Sequence, residues 1–299
     1  MERKETQGPN PVKLIIQPDD GITPLLLAIK KAKKTIDIVI FRFDRTELEK
    51  ALAAAVGRGV AVRALIAHTN RGGEKRLRKL EMAFLQAGVT VCRTADDLTR
   101  YHGKMMIVDG TAHIYGFNFT ELDINRSRSL GVSTREAGIV KACAALFQAD
   151  ATRQPYSPSN DHLVVSPESS RRLLSKFIQG ARKELLIYDE KISDKMMLKL
   201  LRDRAAAGVD VRVIGKIGKA TEGITTTTVK RIRLHVRAIV RDRKSVFIGS
   251  QSLRRPQIDG RREIGVIVPR ATIARAVANV FDSDWEEAGA ELPKAVGAN

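Results

Sequence analysis

The chain repeats itself, and an internal repeat constrains the fold more than any single motif does. Ala32-Lys33-Lys34-Thr35-Ile36-Asp37-Ile38-Val39 is echoed by Ala181-Arg182-Lys183-Glu184-Leu185-Leu186-Ile187-Tyr188, 149 residues on. Gly59-Val60-Ala61-Val62-Arg63 is echoed at the same offset by Gly208-Val209-Asp210-Val211-Arg212. Further along the offset falls: Leu130-Gly131-Val132 matches Ile264-Gly265-Val266 at 134. The first half thus holds about 16 extra residues ahead of its distal strands. Each half reads helix, strand, helix, strand, then a pair of short strands and a closing helix. The helices fall at Ile22–Lys34, Glu47–Val56 and Glu136–Asp150, and again at Pro167–Gln179, Lys195–Ala207 and Thr272–Glu287. Glu74–Gln86 is a further helix without a partner; in its place Lys219–Lys230, with four threonines and Gly223, reads as a loop. Alternation of this kind predicts α/β layers around a mostly central sheet. The halves span 12–152 and 161–288, joined by a Pro- and Ser-bearing linker, with 1–11 and 289–299 as tails.

One pattern recurs at matching places in both halves. His102, Lys104 and Asp109 stand as H-x-K-x4-D, and His235, Arg237 and Asp242 as H-x-R-x4-D. With five histidines in 299 residues, chance supplies roughly 0.05 such hits. On a strand, residues two apart share a face, so each imidazole stands beside a cation. That pair suits a phosphate: the cation neutralises its oxygens while the imidazole attacks or donates a proton. Two histidines, one from each half, make a nucleophile and a general acid; an Asp can orient an imidazole through its ring N–H. Two His and two Asp could instead hold a zinc ion, but a cation two residues from each ligand opposes that, and no metal is expected. His68, His113 and His162, which lack such partners, are expected to be structural.

Composition narrows the partner. Lys plus Arg is 52 against 34 for Asp plus Glu, a net charge of +18. Such a surplus favours an anionic partner without choosing among nucleic acid, an acidic membrane surface and a phosphorylated substrate. Aromatics are 5%, too few for a long base-stacking platform. Two isolated cysteines fit a reducing compartment. No apolar run reaches the roughly 18–20 residues that span a bilayer, and the N-terminus lacks a signal peptide's apolar core. The expectation is a cytoplasmic protein, with peripheral attachment to the inner membrane surface left open.

The paired motifs, the duplication and the small-residue segments after each motif resemble the phospholipase D superfamily over about Val12–Glu287. Those segments are Tyr115-Gly116-Phe117-Asn118-Phe119-Thr120 and Gly249-Ser250-Gln251-Ser252-Leu253. The likeness is greatest to bacterial, cardiolipin synthase-like members. It implies two pseudo-repeated α/β/α halves that share one cleft, and a two-step, cofactor-free reaction through a phosphohistidine. By that resemblance one of His102 and His235 attacks phosphorus and the other protonates the leaving oxygen; the intact motif points to His102 as nucleophile. Lys104, Arg237, Asn118, Ser250 and Ser252 would hold substrate oxygens, with Glu263 a downstream carboxylate of the same phosphate site. Asp109 and Asp242 would support the histidines. Departures from the family pattern are Arg237 for Lys, Ser252 for Asn, Tyr115-Gly116 for Gly-Ser, and Ser129 where Glu263 has its first-half counterpart. The implied substrate is an anionic phospholipid, cleaved or transferred. The alternatives are a nuclease of the same chemistry, which the charge suits, and a phosphate- or lipid-binding scaffold with a degenerate site.

Overall fold

The computed structural model describes residues 12–69, 74–218 and 222–290. The first half runs β1 (Val12–Gln17), α1 (Thr23–Lys31), β2 (Thr35–Ile40), α2 (Thr46–Gly57), β3 (Ala61–Ile66), α3 (Glu74–Gln86), β4 (Thr90–Arg93), β5 (Arg100–Tyr101), β6 (Met105–Val108), β7 (Thr111–Tyr115), α4 (Glu121–Asn125), β8 (Ser127–Thr134) and α5 (Ala137–Ala151). The second runs β9 (Leu163–Ser166), α6 (Ser170–Gln179), β10 (Glu184–Ile192), α7 (Lys195–Ala206), β11 (Asp210–Ile217), β12 (Ile224–Thr227), β13 (Arg233–Leu234), β14 (Ala238–Arg241), β15 (Ser245–Gly249), α8 (Arg255–Asp259), β16 (Arg261–Val268) and α9 (Ala271–Ala290). The order is the same in both, α3 excepted.

Each half builds its own sheet, β1-β8-β7-β6-β2-β3-β4 and β12-β11-β10-β14-β15-β16, as two pseudo-repeated α/β halves require. The β-branched runs of β2 and β3 lie parallel, joined by Ala-rich α2, which ends at Gly57. A parallel pair needs such a crossover. Helices α1 and α2 bury Leu25, Ile29, Leu48 and Leu52 on the outer face of the first sheet. Helices α6 and α7 bury Leu174, Ile178, Met197 and Leu201 on the outer face of the second. Helices α5 and α9 lie within a third core formed by both halves, which includes Cys143, Phe147, Val277 and Phe281. Trp285 stacks on Phe281 with ring centroids 5.7 Å apart.

Two differences from the sequence reading have plain causes. Ile224–Thr227 is not loop but strand β12, parallel to β11. Threonine is β-branched, and its preference for a pleated edge outweighs the polarity that suggests a loop. Strands β1 and β9, which open the halves, went unread: each is short and pairs with a strand over 90 residues away, β1 with β8 and β9 with β16. Residues 70–73, the two tails' outer residues and 219–221 lie outside the described residues.

The halves exchange strands. β5 pairs in parallel with β16, and β13 in parallel with β8. Two buried clamps cross the same seam. Arg262 of β16 meets Asp150 of α5 at 3.0 Å, and Asp150 also accepts from Tyr101 at 2.7 Å. Arg128 of β8 meets Asp284 of α9 at 2.9 Å, and Tyr188 donates to the same aspartate. Tyr101, beside His102, is therefore tied into the seam.

Candidate active site

The exchanged strands place the histidines. The backbone N–H of His102 donates to Arg262 O at 2.7 Å, and that of His235 to Arg128 O at 3.1 Å. Each histidine is thus carried by one half and registered by the other. His102 lands beside Glu263, the residue after Arg262: Nδ1 lies 2.8 Å from Oε2 of a carboxylate with no solvent exposure. Gly103 allows this fit, because a Cβ there would stand 2.5 Å from the Ile264 side chain.

Around His102 the charged groups are packed closely. Lys104 is fully buried, with Nζ 2.9 Å from His102 Nε2 and 3.0 Å from Nδ1. The Phe41 ring meets His102 edge-on at 4.7 Å and lies 5.4 Å from the Lys104 ammonium. Burial pushes His102 down to about 4 and Lys104 down to about 7. Burial alone would raise Glu263, but the charges and hydrogen bond of His102, with Lys104 beside it, hold it below the usual carboxylate value. At neutral pH His102 is a neutral imidazole whose Nδ1–H faces a carboxylate, the tautomer that leaves the Nε2 lone pair for chemistry.

Around His235 the arrangement differs. The first-half equivalent of Glu263 is Ser129, whose hydroxyl donates to His235 O at 3.2 Å. A carboxylate arrives from elsewhere: Asp123 of α4, with Oδ2 3.4 Å from His235 Nδ1. That is an approach longer than a hydrogen bond, and Nδ1 has no hydrogen-bond partner. Asp123 is already shared, accepting from Asn118 N at 3.0 Å, Asn118 Nδ2 at 2.6 Å and Arg233 Nη1 at 2.7 Å. Burial, then the charges of Arg237 and Lys104, press His235 well below the ordinary histidine value. Arg237 is 7% exposed; its Nη2 meets the rim residue Glu190 at 3.1 Å, while Nε and Nη1 are buried without a partner. Lys104 acts electrostatically on His235 and Arg237 on His102, so the two motifs form one charged cluster.

Several sequence assignments need correction. Asp109 and Asp242 do not support the histidines. About 17 Å of extended chain separates Lys104 from Asp109 at ~3.4 Å per residue, so the aspartate sits at the far end of β6. Asp109 and Gly110, at φ 45° and 78°, form the two-residue β6–β7 hairpin turn. The Asp109 carboxylate accepts from the N–H groups of Lys33, Lys34 and Thr35 as β2 begins. Asp242, at φ 54°, does the same for Arg182, Lys183 and Glu184. Glu263 is an anion fastened to His102, and two like charges exclude it as a phosphate ligand. The Ser252 hydroxyl donates to buried Asp189 at 2.5 Å, which leaves no proton for a substrate oxygen. Ser250 brackets the Ile264 peptide group and positions the strand that carries Glu263. Asn118 holds Asp123 and keeps a buried, unpartnered Oδ1. Asp123 was missed by sequence reasoning; Ser129 in place of a glutamate is the signal that a replacement carboxylate is required.

Among the described residues no group of three or more His, Cys, Asp and Glu side chains could hold a metal ion, and no helix is long and apolar enough to cross a membrane. In overall structure the chain is similar to polyphosphate kinase from Porphyromonas gingivalis, with a TM-score of 0.76 at 20% identity, over 92% of this chain and 50% of that one. It spans half the length of that enzyme. It is also similar to phosphatidylserine synthase from Haemophilus influenzae Rd KW20, with a TM-score of 0.73 at 9% identity, over 93% of this chain and 86% of that one. At these identities the likeness is one of fold. No curated protein matches the chain in sequence. The family model described as "Cardiolipin synthase, PLD-like domain" matches residues 25–151 and 174–285, most of both halves. The chain belongs to that phospholipase D-like family.

Proposed function

We propose that the protein cleaves or transfers a phosphodiester through a phosphohistidine on His102, with an anionic phospholipid as substrate. The observation that carries this reading is the cluster of two enclosed histidines, each facing a carboxylate from the opposite half, around unpartnered donors of Arg237. In the free protein Lys104 lies against the His102 ring. A phosphodiester oxygen would draw that ammonium to itself and free Nε2. Nε2 then attacks phosphorus, forming a P–N bond while the P–O bond to the leaving group breaks. The leaving oxygen takes a proton from His235, whose affinity for a proton rises when the anion enters. In the second step His235 takes a proton from water or an alcohol, whose oxygen attacks phosphorus and breaks the P–N bond. Lys104 and Arg237 supply the positive charge for the five-coordinate phosphorus.

The net charge of +18 favours a second reading, a nuclease. One assay series separates them. With excess EDTA present, vesicles of phosphatidylglycerol should yield labelled headgroup or diphosphatidyl product, and His102→Ala and His235→Ala should each abolish it. Cleavage of DNA instead, steeply suppressed between low and moderate salt, establishes the nuclease. Turnover removed by EDTA contradicts the mechanism, and tight substrate binding without turnover indicates a scaffold.

A further inference from the structure

A cavity of about 750 Å³ opens at the far end of β6 from Lys104, between α1, β1 and the β6–β7 turn. Its size falls within the roughly 300–1,000 Å³ of small-molecule sites. The walls combine two chemistries. Ile15 and Leu27 are apolar, and Leu27 is 46% exposed on α1, uncovered for a residue of its type. Lys13, Lys31 and Arg135 contribute cations, while Asp20 and Asp109 contribute carboxylates. The acids do not balance the cations. Asp20 Oδ2 accepts from the Ile16 N–H at 2.7 Å, and Asp109 accepts from three backbone N–H groups. Lys13, Lys31 and Arg135 have no carboxylate partner among the described residues; Arg135 bonds only the Thr111 hydroxyl, at 3.2 Å. The cavity is therefore apolar along one wall and electropositive along another.

A built polar group reaches it from the sheet. His113 is 7% exposed, and Nδ1 lies 2.7 Å from the Ser133 hydroxyl on the neighbouring strand. That pairing leaves Nε2 for the cavity that His113 lines. Burial pushes His113 down to about 4, so it is a neutral hydrogen-bonding group there at physiological pH. The catalytic cluster uses neither His113 nor Ser133.

We propose that this cavity binds a single-chain anionic amphiphile, its acid group on Lys13, Lys31 and Arg135 with His113 beneath, and its alkyl chain along Ile15 and Leu27. The site is separate from the histidine cluster, so its occupancy is independent of whether the proposed phosphodiester reaction is correct. Carboxylate and phosphate headgroups share the required charge, and the test distinguishes them.

Calorimetry on the full chain with decanoate, decyl phosphate and neutral decanol provides the test. One saturable equivalent of decanoate or decyl phosphate should bind, the tighter of the two identifying the headgroup, and decanol at least ten-fold more weakly. His102→Ala should bind as the unmodified protein does. Leu27→Glu and the double variant Lys31→Glu/Arg135→Glu, all at exposed or half-buried positions, should each weaken binding at least ten-fold while melting as the unmodified protein does. Absence of saturable binding overturns the proposal, as does equal affinity for decanol. So does affinity untouched by both surface variants, or lost in His102→Ala, which would place the amphiphile in the histidine cluster.

Discussion

The two halves carry the same histidine after the same exchanged strand, yet surround it differently. His102 sits against Phe41, a buried lysine and a carboxylate that serves it directly. At the position equivalent to Phe41 the second half has Glu190, which pairs with Arg237 instead of leaving the cation over a ring. His235 shares its carboxylate with Asn118 and Arg233. A dedicated carboxylate suits a nucleophile, whose Nδ1–H must stay put while Nε2 forms a bond. A shared carboxylate holds an imidazolium less firmly, which suits the group that must give its proton away. Pseudo-symmetry in the backbone thus supports a division of labour in the side chains.

Substitutions can break this comparison. The largest effect is expected from the histidines: His102→Ala should lower kcat with any diester by about 10⁴-fold or more. His235→Ala should cost about 10²–10⁴-fold with a poor leaving group, and far less in the first step with a nitrophenyl ester that needs no proton. Equal losses in the first step with both esters would erase the distinction between the two histidines. Next come the carboxylates. Glu263→Gln should lower kcat by about 10³-fold, since it removes the charge that fixes the reactive tautomer. Asp123→Asn should cost about 10–100-fold, because its contact with His235 is 3.4 Å long in the free protein. A larger loss at Asp123 would reverse the assignment of roles.

The pH profile sharpens it further. His102 loses its proton at about 4 and stays neutral above that; Lys104 loses its proton at about 7. Deprotonation of His235, held well below the ordinary histidine value, already lowers kcat/KM as pH rises, and loss of the Lys104 ammonium above about 7 should steepen the fall by a further ~ten-fold per pH unit. An unchanged slope through pH 7 would show that Lys104 stays charged or does not meet the diester. The smallest effect is one of stability. Gly116 occupies the position of Ser250, and a Cβ there would stand 2.9 Å from Leu130 O and 3.0 Å from Gly249 O. Gly116→Ala should destabilise the protein by about 1–3 kcal/mol in urea unfolding. An unchanged midpoint would show that the halves approach less closely at this seam.

The paired H-x-K and H-x-R spacings were legible because the duplication repeats them; the strand placement was not, since His102–Lys104 links β5 to β6 and His235–Arg237 links β13 to β14. The aspartates were misread because spacing does not reveal that a hairpin turn separates them from the site; Asp109-Gly110 is a turn signal that outranks a triad reading. Asp123 was invisible because it lies on a short helix and meets a histidine 112 residues later in the chain. Ser250 and Ser252 belong to a segment of the right composition, but only the structure shows their hydroxyls turned to Ile264 and Asp189.

The central claim, that His102 is the nucleophile, is tested most directly by trapping. His235→Ala should be mixed with a nitrophenyl phosphodiester, quenched in alkali, digested and mapped by mass spectrometry. A burst of about one equivalent of nitrophenol and a phosphoryl adduct on His102 are expected, the adduct absent from the His102→Ala/His235→Ala double variant. An adduct on His235 in His102→Ala, or steady turnover with no adduct on either histidine, would contradict it.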